Sequence, residues 1–177
     1  MKRVCIYMIV CLLTTPIQVE AADHYIERTG DLLQVAVPLT GYAMTYGYDD
    51  EEGRLQFYKS FITVTGVTYA LKFTIDKERP NGKGAQSFPS GHTSAAFSGA
   101  SFIQKRYGWK YGTPAYLAAS FVGWSRIDAN RHYLEDVLAG AAIGIMSSYY
   151  FTTPFDHISL SLFSSGSSYG IAIRGRW

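Results

Sequence analysis

The sequence predicts an all-α fold, a helical bundle of about five core helices with a short β-hairpin at its C-terminal end. Three observations carry that prediction. The chain of 177 residues is 47% hydrophobic and 17% charged, an apolar-rich balance for a single domain of this length. Between residues 32 and 151, apolar stretches of helical length alternate with short polar or Gly/Pro-containing breaks, the pattern of helices joined by tight loops. Beyond residue 157 the hydrophobic period changes to two, which is the period of a strand. Aromatic residues make up 15% of the chain, as suits a helical protein beside a membrane or one with a large core.

The first 22 residues read as a secretory signal peptide. Lys2-Arg3 precede an apolar run from Val4 to Leu13, and the small pair Ala21-Ala22 offers a cleavage site. The run is short for a bilayer-spanning anchor. Both cysteines, Cys5 and Cys11, lie inside it, so the mature chain has no thiol or disulfide chemistry. Processing also removes Lys2, Arg3 and Glu20, leaving 14 basic against 13 acidic residues. That near-neutral balance argues against a nucleic-acid partner.

The mature chain, 23–156, then reads as five helices in order. Asp23–Thr29 is a polar lead-in, and Leu32–Tyr48 is uncharged and contains Pro38, a helix expected to kink there. Asp49-Asp50-Glu51-Glu52-Gly53 reads as a solvated acidic turn. A second helix is expected from about Leu55 to Asp76, stopped by Pro80-Asn81-Gly82. A third opens at Pro89-Ser90-Gly91-His92 and runs to about Arg106 with many small residues, which allow close helix approach. Gly108–Gly112 should turn the chain into a fourth helix, Tyr116–Ser125, and a fifth should begin near Asn130 and pass Asp136 to Phe151. One uncharged stretch, 137–155, has 19 residues but ends in Thr152-Thr153-Pro154-Phe155, and the others stay below about 18–20 residues, which leaves a soluble bundle and a membrane-embedded one both open. In the tail, 157–177, alternating apolar residues flank the turn Ser164–Ser168.

Three islands carry candidate chemistry. Lys72 and Arg79 are seven residues apart, two helical turns on one face, so both charges can converge on one anion. Ser90 is a good N-cap, Gly91 lets a ligand approach the backbone, and His92 sits in the first turn of a helix whose N-terminus favours anions. In the third island Arg126 precedes His132, and Asp136 follows four residues later. On a helix a carboxylate at that spacing fixes the imidazole tautomer and frees the other ring nitrogen. Each island alone is equally compatible with a solvated face, an ordinary capped helix or a surface pair. Together they supply three fixed cations, a backbone anion cradle and two histidines, which suit phosphoryl transfer without a metal. Three Lys/Arg side chains beside His92, His132 and Asp136 would repel a dication, so no metal and no cofactor are expected.

The three islands resemble the three-part signature of the type 2 phosphatidic acid phosphatase (PAP2) superfamily. That superfamily contains bacterial non-specific acid phosphatases, membrane lipid phosphatases and vanadium haloperoxidases. The match spans Lys72–Asp136, with every signature residue present in order. The resemblance implies an all-α, PAP2/haloperoxidase-like core. It implies His132 as the nucleophile forming a phosphohistidine, Asp136 as its support, and His92 as general acid and then base. It also implies that Lys72, Arg79, Arg126, Ser90 and the Gly91 N–H bind the phosphoryl oxygens. Only eight residues, Asn81–Phe88, separate the first two islands, shorter than the family commonly shows and suited to a membrane-facing mouth. The function so implied is hydrolysis of a phosphomonoester or diphosphate, with a membrane lipid phosphate or a small phosphate ester as substrate. The implied location is the periplasm or the periplasmic face of a bacterial membrane. A broad-specificity secreted acid phosphatase, a lipid phosphotransferase and a vanadium haloperoxidase use the same residues.

Overall fold

A computed structural model describes the backbone over 2–155, 158–165 and 168–175, and side chains over 24–155. Among the described residues there are five α-helices: α1 (Lys2–Gly47), α2 (Glu51–Thr74), α3 (Gly91–Tyr107), α4 (Trp109–Asp128) and α5 (Leu134–Phe151). The expected signal segment belongs to the backbone of α1, and its side chains lie outside the described residues. Two segments of the tail, β1 (Ile158–Ser165) and β2 (Ser168–Gly175), run antiparallel. It is the helices, not this tail, that build the site.

α3 is the hub, in contact with each of the other four helices. Its sequence explains why: Ser94, Ala96, Ser98, Gly99, Ala100 and Ser101 are all buried and small enough to let backbones approach. At Gly99 a side chain would run into the Pro38 backbone of α1, 2.5 Å from its Cα, and at Gly140 of α5 into the Ser90 carbonyl at 2.5 Å. Ser148 of α5 donates to the Ser98 carbonyl at 2.8 Å. The apolar core gathers Val37, Ala96, Ala100, Ala119 and Val122 on these faces. Large apolar side chains such as Leu32, Ile62, Phe73, Leu117, Met146 and Tyr150 stay exposed, more than a water-soluble surface usually carries. Among the described residues no helix is long and apolar enough to cross a membrane.

Four sequence expectations change. The acidic run after α1 is not wholly solvated, because Asp50 is 1% exposed. It caps α2 by accepting from the Gly53 N–H at 2.9 Å, and Arg106 grips it with Nε at 2.7 Å and Nη2 at 2.6 Å. Tyr107 also donates to it, and Arg106 Nη1 reaches the carbonyls of Thr153 and Pro154. One buried pair therefore ties the α1–α2 turn to the end of α3 and the exit of α5. Next, α4 starts at Trp109 rather than near Tyr116, because Gly108 alone (φ +89°) makes the turn. α2 ends at Thr74 with Ile75 extended, so Lys72 and Arg79 do not share a helical face. Finally, α5 starts at Leu134 rather than near Asn130: Asn130 is left-handed (φ +52°), and the Arg126 carbonyl accepts from both Arg131 and His132 N–H. His132 and Asp136 are therefore a loop residue and a first-turn residue, not two positions on one helix.

Candidate active site

Each signature residue owes its place to a local feature. Lys72 lies in the last turn of α2 and donates to the Gln86 carbonyl at 2.8 Å. Arg79 sits in the following loop, its N–H bonded to the Gly84 carbonyl, while its Nε is buried without a hydrogen-bond partner. A buried guanidinium nitrogen left unpaired is costly in an empty site and is available to an incoming anion. Ser90 caps α3, its oxygen 3.4 Å from the Thr93 N–H and 2.9 Å from the Thr93 hydroxyl. Its own N–H donates to the Asp136 carbonyl at 2.9 Å, joining the second and third islands. Ser90 is fully buried and does not line the cavity; Gly91 and His92, next along the helix, do.

The cavity has a volume of about 720 Å³ and brings Lys72, Arg79, His92, Arg126, Arg131 and His132 to one wall system with Glu27 and Asp31. Asp136 lies behind it, 0% exposed. The contact between His132 and Asp136 is not the direct pair read from the spacing. His132 Nδ1 is 3.8 Å from Asp136 Oδ2, and Ser87 stands between them. The Ser87 hydroxyl donates to Asp136 Oδ2 at 2.5 Å, which leaves its oxygen to accept from His132 Nδ1–H at 3.5 Å. This relay selects the tautomer whose lone pair is on Nε2. Burial and then the Lys72 charge push the His132 imidazole down to about 4, against the pull of a Ser87 backbone hydrogen bond and of Asp136. The ring is therefore neutral at pH 7. For Asp136, burial pushes the carboxyl up, but hydrogen bonds from Lys77, Ser87 and the Tyr133 N–H outweigh it and hold it below the usual range. Lys77 Nζ reaches Asp136 Oδ1 and Glu135 Oε1, both at 2.7 Å.

Lys72 is pushed down by burial and then by Arg79, an effect partly offset by Asp136. Among the described residues, no group of three or more His, Cys, Asp or Glu side chains is placed to hold a metal.

Sequence reading missed Asp31, Glu27, Ser87, Lys77 and Arg131. His92 Nε2 meets Asp31 Oδ1 at 3.1 Å, and Arg126 Nη1 meets the same oxygen at 2.7 Å. Arg131 Nε donates to Glu27 Oε1 at 2.8 Å. Glu27 falls in the expected polar lead-in and Asp31 just before the first expected helix, and their spacing of four, one face of α1, is the signal the sequence offers. Ser87, two residues before Pro89, carried none.

A second, apolar recess of about 440 Å³ lies between α1 and α2, lined by Val35, Pro38, Leu39, Tyr42, Phe57, Tyr58 and Phe61. Gln34 and Ala95 line both spaces, so the recess lies directly beside the cationic cavity.

Residues 55–157, more than half of the chain, match the PAP2 superfamily. The chain is 45% identical over 84 residues to a lipid A 1-phosphatase of Porphyromonas gingivalis, 46% of this chain and 19% of that relative's length. It is 28% identical over 172 residues to a lipid A 4'-phosphatase of Helicobacter pylori, covering 87% of this chain and 86% of the relative. The crystal structure of Aquifex aeolicus LpxE aligns over 73% of this chain and 84% of that one, with a TM-score of 0.64 at 23% identity. That likeness is one of fold.

Proposed function

The chain belongs to the PAP2 superfamily, and on that footing we propose that it is a metal-independent phosphatase of a membrane lipid phosphate, acting through a phosphohistidine. The observation that carries the lipid reading is the apolar recess between α1 and α2 set directly beside the cationic cavity, with Gln34 and Ala95 lining both. A phosphate placed among Lys72, Arg79 and Arg126 can extend an acyl chain along Pro38, Leu39 and Phe57. A small soluble ester gains nothing from that recess. The names of the relatives point to phosphorylated lipid A as the substrate class to try first.

In this mechanism His132 Nε2 attacks phosphorus while the Ser87–Asp136 relay holds Nδ1–H. The P–O bond to the lipid breaks as the leaving oxygen takes the proton of His92. Water then attacks the phosphohistidine and gives its proton to His92, the P–N bond breaks, and inorganic phosphate leaves. Lys72, Arg79, Arg126 and the Gly91 N–H stabilise the charge on the non-bridging oxygens, a task that electrostatic preorganisation performs well. Ser90 serves by capping α3 and by holding Asp136 in register through its N–H. The leader-like sequence over 1–22 and the exposed apolar helix faces support a location on the periplasmic face of a bacterial membrane. The tail, read as a hairpin from its period-two pattern, takes no part in the chemistry.

Phosphate release from lipid A, other lipid phosphates and p-nitrophenyl phosphate, with EDTA present, tests the reading. Lipid phosphates should be hydrolysed with a kcat/KM at least about 100-fold above the soluble ester, the gain expected when an apolar tail is buried. Equal rates on both, or dependence on added Mg²⁺, would overturn it.

A further inference from the structure

We infer that Asp31 is a positioning residue for the general acid: its carboxylate binds His92 at Nε2 so that the proton exchanged with substrate is carried on Nδ1. The inference rests on the phosphatase reading for its consequence, but its geometry stands alone. Asp31 lies on α1, outside residues 55–157 that match the family. One oxygen, Oδ1, accepts from His92 Nε2 at 3.1 Å and from Arg126 Nη1 at 2.7 Å. Arg126 is itself fixed, with Nη2 on the Glu27 carbonyl at 2.6 Å and Nε on Ser125 at 3.2 Å. The carboxylate is thus held in place by a buried guanidinium, and it in turn orients the imidazole.

The arrangement matters because His92 stands among cations. Facing it are Asp31 from α1, Lys72 from α2 and Arg126 from α4, with Arg79 and His132 across the same cavity; α5's Asp136 is turned to Ser87 and Lys77. Burial and then Arg126 push the His92 imidazole down, and Asp31 is what pulls it back up. A general acid that has already lost its proton cannot protonate a leaving oxygen. With Nε2–H given to Asp31, the neutral ring presents a lone pair on Nδ1, and the cation presents Nδ1–H. Among the described residues nothing hydrogen-bonds Nδ1. Those are the two states an acid-then-base residue must alternate between. Were Asp31 only a counter-ion for Arg126 that gives way to the substrate's phosphate, its removal would favour substrate binding and leave the pH dependence of kcat untouched.

The test compares the full-length wild type with Asp31→Asn and Asp31→Glu in detergent. Histidine-labelled protein is titrated by NMR, with the His92 resonance identified through His92→Gln, and the pH dependence of lipid phosphate hydrolysis is measured in parallel. Loss of the carboxylate should lower the His92 midpoint by about one unit. The alkaline limb of kcat should move down by the same amount, with kcat at pH 7 reduced about tenfold and KM not raised. Asp31→Glu should recover part of both. An unmoved His92 midpoint in Asp31→Asn overturns the inference, as does an increase in kcat/KM with an unchanged pH profile. If the midpoint shifts but the wild type releases no phosphate from any lipid, the coupling stands and the phosphatase reading is what fails.

Discussion

Replacing Arg106 with Met probes how the bundle is held together without touching the cavity. Arg106 and Asp50 are 3% and 1% exposed at their side chains, and the guanidinium meets the carboxylate at 2.6 and 2.7 Å. Removing the cation leaves the Asp50 carboxylate buried with only the Gly53 N–H and the Tyr107 hydroxyl, and strips the Thr153 and Pro154 carbonyls of a donor. Breaking a buried pair from one side costs about 3–5 kcal/mol. At roughly 2–4 °C per kcal/mol for a chain of this size, Tm should fall by about 6–20 °C. The sign of the pH dependence follows from Asp50. Burial pushes its carboxyl up, but Arg106, the Gly53 N–H and Tyr107 hold it below the ordinary range in the folded protein. Its contribution is therefore complete above the unfolded value of about 3.9 and is lost as pH falls through the folded one. In Arg106→Met the guanidinium no longer opposes burial, so the neutral acid is favoured in the folded state. The Tm deficit against wild type should be largest near pH 7 and narrow toward pH 4. Circular dichroism melts at both pH values, with Arg106→Lys expected to recover only part of the loss, measure this. A fall of less than about 3 °C at pH 7, or a deficit that widens in acid, would refute the reasoning.

Three substitutions address the chemistry. His132→Ala should abolish turnover and, in a rapid alkaline SDS quench with ³²P-labelled substrate, remove the alkali-stable, acid-labile phosphoenzyme expected of wild type. Ser87→Ala breaks the relay but leaves Asp136 its bonds to Lys77 and the Tyr133 N–H; kcat should drop about 10–100-fold with KM nearly unchanged, at a stability cost of about 1–3 kcal/mol read in a melt. Gly91→Ala is the complementary case. A Cβ there would meet only Lys72 at 3.7 Å and Thr68 at 3.8 Å, ordinary contacts. Tm should hold, while kcat/KM falls about tenfold because the methyl crowds the phosphate over the helix N-terminus.

What the sequence made legible and what it hid divide along a physical line. Helix count, the Ser90 cap and the identities of Lys72, Arg79, His92, Arg126, His132 and Asp136 are visible because they depend on local periodicity and on residue types at short spacing. The helical-face argument for Lys72 and Arg79 fails because Ile75 goes extended, a local break that no Gly or Pro announces. The same holds for His132 and Asp136, where left-handed Asn130 and the Arg126 carbonyl delay α5. Asp31 with His92 and Asp50 with Arg106 join residues 61 and 56 apart in the chain. Hydropathy and spacing have no access to such pairs, since each partner alone reads as a solvated charge.

α1 gives the cavity Glu27, Asp31 and Gln34, and gives the recess Val35, Pro38, Leu39 and Tyr42. All of these precede residue 55, where the family match begins. The stretch before residue 55 thus supplies one wall of the recess and the acidic side chains at the cavity, while the eight signature residues all follow it. The later four helices and their loops carry the signature residues, while α1 shares the walls of the apolar recess with α2 and brings Glu27 and Asp31 to the cavity. Under the proposed lipid reading, exchange of this single N-terminal helix between relatives would reshape one wall of the recess and leave all eight residues of the inherited signature in place.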